Sequence, residues 1–178
     1  MTAHHARLLA ILAAIVIAAA LRLVPHPANF TPVGAIALFS GAYLGRNGLA
    51  FVAPLAALAL SDLVLGFYPE LLFVYVAVAA TVLIGWALSK RRTVLRVGGA
   101  AIAGSVLFFL LTNFGVWLVM DYYPKDLAGL AACYAAAIPF FQNTLAGDLF
   151  YAAVLFGGFA LLERQVPALR PGPRPQAA

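Results

Sequence analysis

The stretch "RLVPHPANFTPVGAIALFSGAY", residues 22–43, interrupts a chain that is otherwise almost continuously apolar. An arginine is followed by three prolines within eleven residues, and the chain then resumes as small and apolar side chains. Proline lacks the amide that a helix interior needs, so it ends or kinks a helix. The stretch therefore predicts the end of one helix, a short loop and the beginning of a second helix.

The composition around this loop requires lipid as the solvent. Of 178 residues, 65% are hydrophobic and 10% are charged, whereas soluble domains are roughly half apolar and a quarter charged. Each membrane span needs about 20 apolar residues. We predict an all-α, polytopic membrane domain over residues 1–166, followed by a disordered Pro-rich tail over 167–178. The first apolar run ends in arginine and prolines rather than a cleavage site, which indicates a retained span.

Apolar windows between charged residues and helix breakers predict a six-helix transmembrane bundle. The predicted spans are residues 8–24, 32–45, 49–67, 71–89, 97–120 and 143–162. A shorter run, 127–138, is bracketed by Pro124 and Pro139, and we predict that it forms a helix on the outer face. The second window is short, because about 14 residues cover about 21 Å of a core about 30 Å thick.

The basic residues predict the orientation. With six crossings and both termini in the cytoplasm, nine of the eleven Lys and Arg residues are cytoplasmic, in keeping with the positive-inside rule. A rival topology, with a re-entrant second segment and an external N-terminus, gives the same count by exchanging Arg7 for Arg22. We favour six spans because a basic residue before the first apolar run usually stays inside. The same rule explains the net charge of +5 without nucleic acid.

Polar residues within the spans are the candidates for a site, because lipid makes them costly unless they face the protein interior. Most lie at the ends of spans one, three and five and at the beginning of span six, all towards the outside. The cytoplasmic half is nearly pure Ala, Leu, Val and Phe, which disfavours a channel or a proton relay. The predicted substrate-binding residues are Arg22, Asn29, Asp62, Asn113, Asn143 and Asp148. The alternative is a structural network in which Arg22 pairs with Asp62 or Asp148.

Signatures of catalysis are absent from the sequence. It contains no G-x-S-x-G, no H-E-x-x-H and no Gly-rich phosphate loop. The single cysteine, Cys133, excludes an internal disulfide and every metal motif with several cysteines. We therefore predict that the chain is not an enzyme and that it holds neither a metal nor a cofactor.

Small residues recur every four positions on the first two spans. Ala10, Ala14 and Ala18 form one row, and Ala37, Gly41 and Gly45 form another. Such rows let helix backbones approach closely in lipid. They predict either packing within the chain or a surface for docking another membrane protein.

Several sequence blocks resemble a known family. They are "ANFTPVGAIALFSGAY" at 28–43, "LALSDLVLGFYP" at 58–69, "TNFGVW" at 112–117, "YPKDLAGLAACYAAAIPFF" at 123–141 and "NTLAGDLFY" at 143–151. These blocks are similar to DUF6580, a family of small uncharacterised bacterial integral membrane proteins. The resemblance implies a multi-pass protein of the bacterial inner membrane and supplies no activity.

The predicted layout more distantly resembles the S-components of energy-coupling-factor vitamin transporters. Those have six helices, cytoplasmic termini, an alanine row on the first helix that docks a transmembrane coupling subunit, and an external pocket capped by the first loop. The resemblance implies a substrate-binding subunit for uptake of a small, vitamin-like molecule, with a coupling subunit and ATPases as partners. In it, Ala10, Ala14 and Ala18 would be the docking row.

A second reading stays open beside this one. The layout is also similar to the rod-shape membrane protein MreD, which would make the chain a non-transporting scaffold. In a scaffold the small-residue rows would carry the function, and the polar cluster would be structural. A membrane enzyme is the third reading, and no catalytic constellation supports it.

Overall fold

The structure is a computed structural model that describes residues 3–170, with side chains from residue 5 onward. This range is all-helical, as predicted. The helices are α1 (Ala3–Ala20), α2 (Val33–Leu44), α3 (Leu49–Leu65), α4 (Leu71–Leu88), α5 (Val94–Val119), α6 (Leu127–Ala152) and α7 (Gly158–Gln165). A 3₁₀ turn extends α1 over Leu21–Leu23, and a π-helical turn over Ala153–Gly157 joins α6 to α7.

Four helical stretches of the described range are long and apolar enough to cross a membrane. They are His5–Leu23, Leu71–Leu88, Val94–Val119 and Leu127–Gln165. The remaining two helices, α2 and α3, are apolar but shorter. The chain is thus an all-helical protein with four candidate membrane-spanning helices.

Helix α2 lies at the centre of the bundle, in contact with α1, α3, α4, α5 and α6. Its residues 35–42 are buried without a break. A helix that is hydrophobic all round is a buried helix. Because α2 is enclosed by protein, its 12 residues do not have to match the thickness of a bilayer.

The close crossing of α2 and α4 depends on two glycines. A Cβ at Gly41 would overlap the carbonyl oxygen of Val82, and a Cβ at Gly85 would overlap the carbonyl oxygen of Leu38. Ala37, one turn before Gly41, is fully buried. Ala37 and Gly41 of the small-residue row therefore pack within the chain, whereas Gly45 is the C-cap residue of α2 and a Cβ there would meet nothing within 4 Å.

The alanine row of α1 is also occupied within the molecule. Ala18 is buried, and Ala10 and Ala14 pack against a core cluster that includes Ile11 and Ile15. Ala10 and Ala14 nevertheless keep part of their surface exposed. The docking of a partner on this row therefore stays a prediction.

The predicted separation of an outer-face helix at 127–138 from a last span at 143–162 is wrong. Residues Leu127–Ala152 form one helix with Pro139 inside it. Asp126 is the N-cap residue of this helix, and its side chain accepts a hydrogen bond of 2.7 Å from the Gly129 amide. Proline is tolerated within membrane helices because neighbouring groups satisfy the backbone that it frees.

The beginning of the predicted disordered tail is ordered. Pro167–Leu169 forms a 3₁₀ turn that packs against α1, and Leu169 is buried. The Leu169 carbonyl accepts a hydrogen bond from Arg7. The rest of that tail, residues 171–178, lies outside the described residues.

Basic side chains gather at one end of the bundle, which we call the basic end. Arg7 at the start of α1 pairs with Glu163 of α7 at 2.6 Å. The guanidinium of Arg92 lies 4.1 Å from the ring centroid of Tyr43 at the end of α2, and that of Arg46 lies 5.6 Å from the centroid of the Trp86 ring. The start of α1 and the ends of α2, α4 and α7 therefore share this end.

Candidate functional site

A cavity of about 430 Å³ lies at the end of the bundle opposite the basic end. Binding sites for small molecules commonly fall between about 300 and 1,000 Å³. Its polar lining residues are Arg22, Asn29, Thr31, Tyr68, Glu70, Thr112, Asn113, Thr144 and Asp148. Its aromatic wall consists of Tyr68, Phe108, Phe109, Phe140 and Phe141.

An ion pair holds Arg22 against the cavity wall. Its Nη1 donates to Oδ1 of Asp62 at 2.6 Å and also to the Ser61 hydroxyl. Asp62 is fully buried, and its other oxygen accepts from the Tyr75 hydroxyl at 3.1 Å. Asp62 thus lies behind Arg22 and neutralises it, and only Arg22 reaches the cavity.

The α3–α4 loop contributes Tyr68 beside Arg22. The two side chains share a hydrogen bond. Burial, and next the nearby Asp62 carboxylate, raise the pKa of the Tyr68 phenol above its ordinary value of 10. The hydroxyl therefore stays neutral near pH 7 and remains a hydrogen-bonding group at the cavity.

Glu70 enters the cavity from the position just before α4. It is the N-cap residue of that helix, yet its side chain accepts no hydrogen bond from the helix amides. Its Oε2 is buried and has no hydrogen-bond partner within residues 3–170. The negative charge of Glu70 is thus available to a bound molecule.

Asp148 of α6 meets the beginning of α2. Its Oδ2 accepts from the Ser105 hydroxyl at 2.7 Å, and the Ala35 amide also donates to this carboxylate. A Cβ at Gly34 would overlap Oδ1 of Asp148. A negative charge is favoured at a helix N-terminus, so Asp148 fixes the start of α2 while facing the cavity.

The polar side chains of α5 donate hydrogen bonds to backbone carbonyls of the same helix. The Thr112 hydroxyl donates to the Phe108 carbonyl at 2.8 Å, and the Asn113 amide donates to the Phe109 carbonyl at 2.8 Å. Such bonds to the preceding turn let polar side chains lie within an apolar helix. Both residues line the cavity.

Residues 24–32, which we call the roof loop, dock on α6. The Asn143 amide donates to the Ala28 carbonyl at 2.9 Å. The Phe30 ring lies 5.8 Å from that of Phe150, and a Cβ at Gly147 would lie 3.2 Å from Phe30 Cα. These contacts hold the loop over the cavity.

Asn29 sits within the roof loop in an unusual backbone conformation. Its φ is 63°, in the left-handed region that asparagine adopts more readily than most residues. Asn29 and Thr31 both line the cavity, so the loop supplies polar groups as well as cover.

The structure brings four of the six predicted site residues to the cavity. These are Arg22, Asn29, Asn113 and Asp148. Asp62 and Asn143 do not line it, because Asp62 is buried behind Arg22 and Asn143 holds the roof loop. Sequence reasoning also missed Glu70, because a charged residue in a loop is normally solvated.

Groups of three or more His, Cys, Asp or Glu side chains placed to hold a metal ion are absent from the described part of the chain. Cys133 is buried on α6, and its thiol donates to the Asn113 carbonyl at 3.4 Å. The lining of the cavity offers hydrogen-bonding groups, charged groups and aromatic rings.

Comparison with known proteins gives a family and no activity. The model of DUF6580, described as a family of unknown function, matches residues 2–169, which confirms the resemblance seen in the sequence blocks. No curated relative and no solved structure is similar to the chain.

Proposed function

We propose that this chain, which belongs to the DUF6580 family of unknown function, is the substrate-binding membrane subunit of an uptake system for a small polar molecule. One observation carries the proposal. Polar side chains from α1, α5, α6, the roof loop and the α3–α4 loop converge on a single cavity of about 430 Å³, although most of the chain is apolar. Clustered polar groups in a membrane bundle are the usual mark of a site.

The proposed topology has six crossings with both termini in the cytoplasm of a bacterial inner membrane. The clustering of Arg7, Arg46 and Arg92 at the basic end supports placing that end inside. Helix α2 would count as a short, enclosed crossing. The cavity and the roof loop then face outside, where a substrate arrives.

The bundle below the cavity favours capture over conduction. The Phe39 side chain is fully buried and packs edge to face with Phe156 at 5.4 Å and Phe159 at 5.6 Å between centroids. A channel would require a polar path through this region. Release to the cytoplasm would therefore need rearrangement against a partner, such as a transmembrane coupling subunit with its ATPases.

The scaffold alternative has less support from the structure. It would use the small-residue rows as free surfaces, yet Ala18 and Gly41 are buried within the chain. The cavity, in contrast, has no role in a scaffold. Packing within the chain accounts for the buried residues of the rows, and substrate binding accounts for the polar cavity.

The test compares two matched variants on neighbouring positions of α6. Ala137 lines the cavity and is 9% exposed, whereas Ala136 is exposed on the outer surface of the helix. Ala137→Phe therefore fills the cavity, and Ala136→Phe adds the same ring outside it.

Both variants and the wild-type chain are purified from native membranes, and the small molecules that they retain are identified by mass spectrometry after solvent extraction. We expect one non-lipid compound, close to one per chain, with the wild type and Ala136→Phe. Ala137→Phe should retain little of it. Equal retention by both variants, or no specific compound with the wild type, would contradict the proposal.

A further inference from the structure

The charges at the cavity do not balance. Three carboxylates, those of Asp62, Glu70 and Asp148, lie at or directly behind its wall, together with one guanidinium, that of Arg22. The pair of Arg22 and Asp62 at 2.6 Å is neutral as a unit. Neither Glu70 nor Asp148 forms a salt bridge with a cationic side chain in the described range. The cavity therefore carries an excess of negative charge.

The two remaining carboxylates, those of Asp148 and Glu70, differ in their hydrogen-bond partners. Asp148 accepts hydrogen bonds from Ser105 and from the amide of Ala35 at the start of α2. Glu70 has a buried Oε2 with no partner in the same range, and its side chain does not cap α4. A buried charged oxygen without a donor is costly. Of the two carboxylates, Glu70 is thus the one with an unpartnered oxygen for a ligand.

Aromatic rings line the same cavity as this carboxylate. Phe109 and Phe141 lie 5.0 Å apart between centroids with their planes inclined by 56°, and Phe108, Phe140 and Tyr68 extend the wall. The faces of aromatic rings attract cations. Carboxylate and rings together favour a flat or apolar body that carries one positive charge.

We propose that the cavity selects an organic cation with an N–H donor, such as a protonated amine or amidine, which donates to Oε2 of Glu70 and rests against the aromatic wall. This inference rests on the proposed function and names its substrate class. An anion would have to bind Arg22, whose positive charge is already compensated by Asp62 and whose Nη1 already donates to Asp62 and Ser61. A cation, in contrast, meets Oε2 of Glu70, which has no hydrogen-bond partner within residues 3–170.

Three indole compounds of similar size isolate the effect of charge. Tryptamine is a cation, tryptophol is neutral and indole-3-acetate is an anion. Each is titrated calorimetrically into the full chain in nanodiscs of zwitterionic phosphatidylcholine, with empty nanodiscs as the blank. The variant is Glu70→Gln, which keeps the shape of the side chain. Its control is Asp121→Asn, which removes the same charge from an exposed position.

We expect tryptamine to bind at least about tenfold more tightly than the other two compounds, because charge-assisted hydrogen bonds are roughly twice as strong as neutral ones. Glu70→Gln should weaken the binding of tryptamine by a similar factor. The affinity for tryptophol should stay within about twofold of its wild-type value. Asp121→Asn should change neither value.

Three results would overturn the inference: equal affinity for tryptamine and tryptophol, tighter binding of indole-3-acetate, or failure of all three compounds to bind. The proposed function is judged separately, by the compound that Ala136→Phe retains and Ala137→Phe loses. A retained compound that is neutral or anionic would preserve the proposed function and overturn the cation inference. Failure to retain any compound would remove the proposed function itself.

Discussion

The guanidinium of Arg22 and the carboxylate of Asp62 form an ion pair of 2.6 Å across α1 and α3. Asp62 is fully buried, whereas the Arg22 side chain keeps 14% of its surface exposed. The pair fixes the end of α1 where the roof loop begins. It also leaves the charge of Arg22 compensated, which is why the net charge of the cavity is set by other residues.

Removing one partner of this ion pair should lower the free energy of unfolding more than replacing both partners with apolar residues. Asp62→Asn leaves Arg22 without its counter-charge, and removal of one partner of a buried pair typically costs about 3–5 kcal/mol. The double change Arg22→Met with Asp62→Leu removes both charges and should recover most of that loss. The free energy of unfolding in detergent measures both. A double variant less stable than Asp62→Asn would contradict this account of the pair.

Gly85→Ala should destabilise the bundle by about 1–3 kcal/mol, the usual cost of overpacking. Its Cβ would overlap the Leu38 carbonyl and force α2 away from α4. Gly99→Ala is the control, because a Cβ there meets nothing within 4 Å. That control should be neutral or slightly stabilising in the same unfolding measurement. Equal stability of the two variants would mean that the crossing is looser than described.

Asn143→Ala should loosen the roof loop without unfolding the bundle. It removes the hydrogen bond to the Ala28 carbonyl, worth about 1 kcal/mol, and backbone amides in residues 28–31 should exchange with deuterium about fivefold faster. Gln142→Ala, at the exposed neighbouring position, should leave their exchange unchanged. The same exchange rate in both variants would show that Asn143 does not hold the loop.

Cysteine labelling should place the roof loop outside the cell. In a Cys133→Ala background, Ala28→Cys should react with a membrane-impermeant maleimide in intact cells, and Asn47→Cys should react only after permeabilisation. Both positions are exposed. In the rival topology with a re-entrant second segment, both cysteines would be protected until permeabilisation.

The sequence predicted the class of fold and much of the cavity for a simple physical reason. Lipid penalises polar side chains, so those within apolar runs turn inward, and this rule identified Arg22, Asn113 and Asp148. Asn29 was found because it lies in the proline-rich break between the first two helices. The rule does not say which of them pair with each other. Asp62 is buried behind Arg22, and Asn143 forms a hydrogen bond with the roof loop. Both arrangements depend on tertiary geometry, which spacing along the chain does not encode.

Two further differences between the predictions from the sequence and the structure have local causes. Pro139 was interpreted as a helix boundary, yet a proline within a packed membrane helix is tolerated, and α6 runs through it. Glu70 was passed over because it lies in a loop, where a charged residue is normally solvated. Its position just before an apolar run was the available signal, since a residue there can turn back over the end of the bundle.

The central claim, that this cavity holds a small molecule, is tested most directly by an experimental structure of the wild-type chain purified from its native membrane. The account predicts density for a compact, non-lipid molecule between Glu70 and the ring of Phe141, within hydrogen-bond distance of Oε2 of Glu70. A cavity filled only by water, or by the acyl chain of a lipid, would contradict it.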